Sequence, residues 1–106
     1  MSWHFTVGND GEVLQHYALN LITWHAGQEA NLLYVGIECE GTAGHAIRGP
    51  QLEALAELVR WIARVDHWES YTRGITLFEH NEFMNTACPS GRIPWQELIR
   101  HVSAAP

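Results

Sequence analysis

Two side chains in the last third of the sequence have the chemistry of metal ligands. His80 and Cys88 are eight positions apart, and Pro89 follows the cysteine. An imidazole nitrogen and a thiolate sulfur are good donors for Zn²⁺. A catalytic zinc ion usually takes about three protein ligands. The pair alone therefore leaves open whether these residues bind a metal ion or are ordinary loop residues.

A strand and the loop after it would position this pair. Ile75 to Glu79 predicts a short strand, and His80 to Pro94 predicts an irregular loop that the strand feeds. Pro94 is suited to the first turn of a helix, which we expect from Trp95 to about Val102. The metal-binding chemistry would thus lie where a strand ends and a loop begins.

The strongest helix signal runs from Pro50 to about Val65. Its apolar side chains recur at steps of three or four and form one stripe, with most charged side chains opposite. This stripe predicts a helix that packs on a sheet. The stripe consists of Leu52, Leu55, Ala56, Val59, Ile62 and Ala63.

The first forty residues predict most of that sheet. Trp3 to Gly8 and Val13 to Tyr17 predict a hairpin around a glycine-containing turn, and Tyr34 to Glu40 predicts a third strand apolar enough for a central position. Ala18 to Leu33 has no sustained period and predicts a long loop. We therefore expect one α/β domain over residues 1–106, with a mixed central β-sheet flanked by helices.

Composition excludes several classes of function. The net charge is −6, and the chain has six arginines and no lysine, which gives a polyanion little basic surface. We expect no nucleic-acid partner. No apolar run approaches the roughly 20 residues that cross a bilayer, and the start has no pattern of a signal peptide. The two cysteines, Cys39 and Cys88, do not make a disulfide framework.

Four motifs together resemble one known family. Residues 79–90 resemble the signature of the type 2 N-acetylmuramoyl-L-alanine amidases, a family that includes phage endolysin domains and peptidoglycan recognition proteins. Residues 3–11 resemble its first hairpin, residues 24–27 (Trp-His-Ala-Gly) one of its loops, and residues 31–38 its Val-Gly-Ile-Glu strand. The likeness is greatest to lysins of phages that infect actinobacteria. It implies the fold of the peptidoglycan recognition proteins.

The resemblance implies a zinc site and a catalytic reaction. In the family, the residues that match His80 and Cys88 bind Zn²⁺. Glu38 would be the general base and then the proton donor, although an exposed carboxylate at a strand end remains the alternative. Thr86 lies where other members place a Lys or Thr that hydrogen-bonds the oxyanion. The implied activity is hydrolysis of the amide between N-acetylmuramic acid and L-alanine.

The same resemblance implies a substrate groove and a place of action. Trp24 and His25 would form walls for the glycan and the stem peptide, with loop packing by Trp24 as an equal alternative. Asn31 would fix the loop before its strand. The partner would be bacterial peptidoglycan, reached from the host cytoplasm when a phage releases its lysin to destroy the cell wall.

One feature of the family has no counterpart in this sequence. Family members begin with a strand that carries a further zinc-binding histidine, whereas this sequence starts at the hairpin. We expect a domain that is truncated at its N-terminus, with a homodimer or a strand from another chain in place of the missing strand. His4 and His25 match family histidines that are not the usual third ligand.

Two other functions remain open. A degraded site could bind peptidoglycan without cutting it, as non-catalytic members of the recognition-protein branch do. Many of those lack the zinc cysteine, and the presence of Cys88 favours the enzyme. A weaker alternative is a regulator that pairs with a full-length lysin through an uncovered sheet edge.

Overall fold

The computed structural model describes residues 2–21 and 34–104. Within them lie three strands, β1 (Phe5–Val7), β2 (Val13–Gln15) and β3 (Ile37–Cys39). They are followed by the helix α1 (Gly49–Asp66), a short 3-10 helix (His80–Glu82) and the helix α2 (Trp95–Ser103).

The strands form a mixed sheet in the order β2-β1-β3. β1 pairs antiparallel with β2 and parallel with β3. The predicted hairpin is confirmed, and its turn is closed by Asp10 Oδ1, which accepts a hydrogen bond from the Glu12 amide at 2.9 Å. Gly11 has φ +89° and lies against Pro50, where a Cβ would come within 3.0 Å of the Pro50 carbonyl oxygen. This glycine lets the hairpin turn contact the start of α1.

One face of the sheet is the core face. Side chains alternate along a strand, so Phe5 and Val7 point together towards α1 and are buried. The ring of Trp61 on α1 meets Phe5 edge-on, with centroids 6.2 Å apart. α2 packs against α1 and adds Leu98 and Val102 to the same apolar cluster. The predicted α/β architecture with a mixed sheet is therefore confirmed.

Local signals set the ends of α1. Pro50 occupies its first turn, where a missing amide is no loss. His67 takes the left-handed conformation at φ 56°, and the Trp68 amide donates to the Ala63 carbonyl at 2.9 Å. These bounds differ from the predicted ones by one residue at each end. In the described part of the chain, neither helix combines the length and the apolar character needed to cross a membrane.

The predicted strand from Ile75 to Glu79 is wrong. The amides of Ile75, Thr76 and Leu77 all donate to the Thr72 carbonyl, at 3.1, 2.9 and 3.1 Å, and thus form a tight turn. Among residues 2–21 and 34–104, the pairing of this segment is limited to an isolated bridge between Arg73 and Leu77. A strand requires a hydrogen-bonded partner, and within the described ranges the sheet ends at β3.

Candidate active site

The residues singled out for chemistry line one cleft beside β3. The cleft has a volume of about 330 Å³ and lies between β3 and residues 75–80, above the core face of α1. Glu38, His80 and Cys88 all line it. The same three residues also line an adjoining cavity of about 200 Å³. Three of the predicted site residues, from two separate segments, are therefore brought together.

His80 is held by a capping box around the 3-10 helix. The Glu79 amide donates to Glu82 Oε1 at 2.7 Å, and the Glu79 side chain in turn accepts from the Glu82 amide. Glu79 Oε2 also accepts from Trp95 Nε1 at 2.5 Å, and Oε1 accepts from Asn81 Nδ2 at 3.1 Å. Glu79 thus joins the segment that carries His80 to the start of α2.

Arg73 strengthens this attachment from the other side. Its Nη1 donates to Glu82 Oε1 at 2.6 Å and to the Leu77 carbonyl at 3.0 Å. Its guanidinium also lies over the Trp95 ring, 4.4 Å from the centroid. The Glu79 amide and then Arg73 hold the pKa of the Glu82 carboxyl below its usual value. The His80 segment therefore rests on a connected polar network.

Cys88 is placed against the His80 segment by its backbone. The Asn81 amide donates to the Cys88 carbonyl at 3.0 Å, and His80 Nε2 lies 3.2 Å from Met84 Sδ within the same loop. Thr86 Oγ1 accepts a hydrogen bond from the Cys88 amide at 3.3 Å. Thr86 itself is outside the lining of both cavities. It contacts the site through the Cys88 backbone.

Two thiols and a carboxylate lie near one another in the site, those of Cys39, Cys88 and Glu38. Burial, and after it the Glu38 carboxylate, raises the pKa of the Cys88 thiol, whereas Arg92 acts in the opposite direction. The same causes raise the pKa of the Cys39 thiol to about 12. Both thiols are therefore protonated at neutral pH in the absence of a cation. A metal ion bound at Cys88 would displace a proton.

Two buried polar side chains fix the end of β3, and sequence reasoning gave neither a role. Arg92 donates from Nε to the His45 carbonyl at 2.8 Å, and from Nη1 and Nη2 to the Cys39 and Glu40 carbonyls at 3.2 and 3.0 Å. Gln51 Nε2 donates to the carbonyls of Val7 and Glu40, at 3.1 and 2.7 Å.

A steric requirement accompanies the Arg92 contacts. A Cβ at Gly41 would collide with the Arg92 guanidinium. The Arg92 guanidinium thus passes close to Gly41, where no side chain blocks it. This side chain joins the Cys88 loop to β3, the strand that carries Glu38. The available signal was the Ser-Gly-Arg-Ile-Pro-Trp run at residues 90–95, although hydropathy gives no sign that its arginine is buried.

Two histidines near the hairpin have structural partners. His4 is 1% exposed. Its Nδ1 accepts from the Gly36 amide at 3.0 Å, and Nε2, which then carries the proton, donates to the Leu21 carbonyl at 2.7 Å. His16 Nε2 bonds Thr6 Oγ1 at 2.8 Å. His4 therefore has no free ring nitrogen for a metal ion.

His80 and Cys88, the two predicted metal ligands, both line the cleft. Among residues 2–21 and 34–104, no group of three or more His, Cys, Asp or Glu side chains is arranged to hold a metal ion. Trp24, His25 and Asn31, which were predicted to contact substrate, lie outside the described residues. Their roles stay predictions.

Comparison with protein families decides the relationship of the chain. The family model described as N-acetylmuramoyl-L-alanine amidase (Amidase_2) matches residues 1–91. The chain belongs to this family. The matched range includes the hairpin, β3 and the His80–Cys88 loop, so the resemblance drawn from the motifs is confirmed. Comparison with curated proteins gave no match.

Solved structures show the same fold as this amidase-family chain. One is the N-acetylmuramoyl-L-alanine amidase LysC from Clostridium intestinale URNW, and another is the endolysine N-acetylmuramoyl-L-alanine amidase LysCS from the same organism. Each superposes with a TM-score of 0.81 at 22% identity over 97% of this chain. The chain spans 65% and 64% of the lengths of these two chains. At this identity the likeness concerns the fold.

Proposed function

We propose that the chain is the amidase part of a zinc-dependent peptidoglycan hydrolase of the endolysin type. The reaction is hydrolysis of the amide between N-acetylmuramic acid and L-alanine. The observation that carries this proposal is the convergence of Glu38, His80 and Cys88 on one cleft in a chain of the amidase family. A carboxylate beside two metal donors is the combination that metal-assisted amide hydrolysis requires.

The donor chemistry of the cleft suits zinc. His80 offers an imidazole nitrogen and Cys88 a sulfur, and both are half-buried. A bound Zn²⁺ would supply an activated water and polarise the amide carbonyl. Among the described residues no group of three or more donor side chains is arranged to hold a metal ion, so the proposal requires a third ligand from outside those residues.

Glu38 is proposed to move the proton. It stands opposite Thr6 in the parallel register, so its carboxylate lies on the face of the sheet away from the core. This carboxylate would accept a proton from the attacking water as the new carbon–oxygen bond forms. It would then deliver that proton to the leaving amine nitrogen as the carbon–nitrogen bond breaks.

Thr86 is proposed to stabilise the oxyanion. Its Oγ1 already accepts a hydrogen bond from the Cys88 amide, which leaves the hydroxyl proton available as a donor. A neutral hydroxyl is a weaker partner for an anion than a charged amine. The contribution of Thr86 should therefore be small. Trp24, His25 and Asn31 are proposed to contact the glycan and stem peptide.

A second candidate function is binding of peptidoglycan without cleavage. An aromatic cluster lines part of the cleft, with the rings of Phe78, Phe83 and Tyr34 in mutual contact at 5.0 to 5.3 Å. Aromatic faces suit the apolar faces of sugar rings.

A metal assay tests the zinc part of the proposal. Zinc bound by the purified chain should fall in affinity by at least about tenfold in His80→Ala and in Cys88→Ser, since even outer-shell partners contribute that much. His101→Ala and Cys39→Ala are matched controls, because neither is proposed to bind the ion. Equal zinc binding by all four variants would refute the assignment.

A cleavage assay separates the two functions. Purified peptidoglycan is incubated with the chain, and newly exposed alanine amino groups are counted. Glu38→Gln should reduce their release by at least about 100-fold, the lower range for loss of a general base. Glu40→Gln, two residues along the chain, is the control and should retain activity. Sedimentation with peptidoglycan but no release by the unaltered chain would support the binding function instead.

A further inference from the structure

β2 is an edge strand at the end of the sheet opposite the candidate site. Within the described residues, β2 pairs only with β1, and all three residues of the strand are exposed. Val13 is 39% and Leu14 is 48% exposed. Sheet edges are commonly protected by charged side chains or by proline, and Val13–Gln15 contains neither. The strand therefore offers an unprotected edge for pairing with another strand.

The pairing with β1 shows which backbone groups of β2 point away from the sheet. The His16 amide donates to the His4 carbonyl across the hairpin. Because backbone groups alternate along a strand, those of Leu14 also face β1, whereas those of Val13 and Gln15 face outward. In the part of the chain that the structure describes, none of these outward amides and carbonyls has a hydrogen-bond partner.

The residues on either side of β2 already use some of their backbone groups. The Gly11 amide donates to the Gly8 carbonyl at 3.0 Å. The Tyr17 carbonyl accepts a hydrogen bond from Gln15 Nε2 at 3.1 Å. Neither Gly11 nor Tyr17 can therefore exchange a full pair of hydrogen bonds with an added strand. Val13 and Gln15 can each exchange such a pair.

We propose that a second copy of this chain binds at this edge, with the β2 strands of the two copies paired antiparallel about a two-fold axis at Leu14. This register places Val13 of each copy opposite Gln15 of the other, so that every outward donor meets an outward acceptor. A register centred on Val13 would place Gln15 opposite Gly11, and one centred on Gln15 would place Val13 opposite Tyr17. Both would leave hydrogen bonds unmade. The sheet then continues through both copies in the order β3-β1-β2 and β2-β1-β3.

The side chains in this register are complementary to those of an identical strand. Leu14 is opposite Thr6 in the hairpin, so Glu12, Leu14 and His16 lie on the face of the sheet away from the core. The two Leu14 side chains meet at the axis, and the exposed Glu12 of each copy stands opposite the exposed His16 of the other. An apolar centre between an acidic and a basic end is its own complement in an antiparallel pair. This pattern selects a second copy as the occupant.

A chain of hydrogen bonds prepares His16 for this contact. Trp3 Nε1 donates to Thr6 Oγ1 at 2.8 Å, and Thr6 Oγ1 lies 2.8 Å from His16 Nε2. When the Thr6 hydroxyl donates to Nε2, the proton of the neutral ring is on Nδ1. Nδ1 is then the donor for the Glu12 carboxylate of the other copy. Because β2 and β3 lie at opposite ends of the sheet, this pairing leaves the cleft beside β3 open.

Sedimentation equilibrium of the whole chain over a range of concentrations tests the dimer. His16→Glu should weaken dimerisation by about tenfold, because two carboxylates then face each other at both ends of the paired strands. Adding Glu12→Arg to this variant restores opposite charges and should recover the dimer. Glu53→Arg on the exposed side of α1 is the control for net charge and should have no effect, with circular dichroism to verify folding of every variant. An unaltered chain that stays monomeric at about 1 mM would overturn the proposal.

A cysteine placed at the axis tests the register. In Leu14→Cys, the two new thiols would face each other with Cα atoms about 4.5 Å apart, a separation that a disulfide spans. Oxidised glutathione should therefore link the two copies covalently. Glu12→Cys is the matched control and should stay unlinked, because its thiol would stand opposite His16; the unaltered chain, with Cys39 and Cys88, gives the background. Equal linking in Leu14→Cys and Glu12→Cys, or a dimer that His16→Glu does not weaken, would also overturn the proposal.

Discussion

Replacement of Arg92 by alanine should be among the most destabilising single changes in this chain. Arg92 is 8% exposed and donates to three backbone carbonyls, those of His45, Cys39 and Glu40. A hydrogen bond from a charged donor contributes about 1.5 to 3 kcal/mol. The three share one side chain and are not additive, so we expect Arg92→Ala to lower the free energy of unfolding by about 3 to 5 kcal/mol.

Water should keep the loss of unfolding free energy in Arg92→Ala below the sum of the three hydrogen bonds. Arg92 lines the cavity of about 200 Å³, through which water can reach part of the freed carbonyls. Arg92→Lys keeps the charge but has a single ammonium in place of the planar fork. It should therefore lose about half as much free energy, or about 1.5 to 2.5 kcal/mol.

Urea unfolding followed by tryptophan fluorescence measures these losses. The matched control is Arg64→Ala on the exposed side of α1, which should change the free energy of unfolding by no more than about 0.5 kcal/mol. A loss below about 1 kcal/mol in Arg92→Ala, with an unchanged denaturant slope, would refute the reasoning. It would mean that the carbonyls at the end of β3 are satisfied equally well by water.

Three further predictions concern the neighbouring residues. The pKa of the Cys39 thiol is about 12 in the folded chain, whereas the usual thiol pKa is 9.0. Ionisation of this thiol therefore favours the unfolded chain above about pH 9. The contribution of Cys39 to stability should be full below that pH and should fall as the pH rises towards 12. Cys39→Val should lose less stability than the unaltered chain between about pH 8 and about pH 10, and equal losses would contradict the assigned pKa. Glu79→Gln weakens the acceptor of the Trp95 indole, so zinc affinity at His80 should fall by about tenfold while global stability changes by only about 1 kcal/mol; unchanged affinity would show that the capping box does not position His80. His4→Phe leaves the buried Gly36 amide without its acceptor and should cost about 1 to 3 kcal/mol in urea unfolding, without loss of bound zinc. Loss of zinc in His4→Phe would contradict its purely structural assignment.

The sequence motifs predict the main residues of the candidate site. They do not predict the buried polar side chains that hold those residues in place. Glu38, His80 and Cys88 were selected from the sequence, and all three line the cleft. Arg92 and Gln51 were not selected, because a polar side chain gives no sequence signal of burial. Their contacts join carbonyls that are 11 to 53 positions away along the chain. Such contacts exist only after the sheet, α1 and the Cys88 loop have come together.

The sequence by itself determined the elements whose signals are local. α1 follows from its apolar stripe and Pro50, and the first hairpin follows from alternation around Asp10-Gly11. These patterns fix backbone geometry within a few residues, because helical hydrogen bonds and turn conformations link near neighbours.

Only the tertiary structure decided which segments with a strand-like sequence form strands of the sheet. Ile75 to Glu79 has the composition of a strand but forms a turn around Thr72. The apolar run before Ile37 leads into β3, which among the described residues lies at the edge of the sheet. A strand is stabilised by a partner rather than by its own residues. Whether such a partner is present depends on residues that are distant along the chain, so the local pattern that predicts a strand cannot provide the hydrogen bonds that form one.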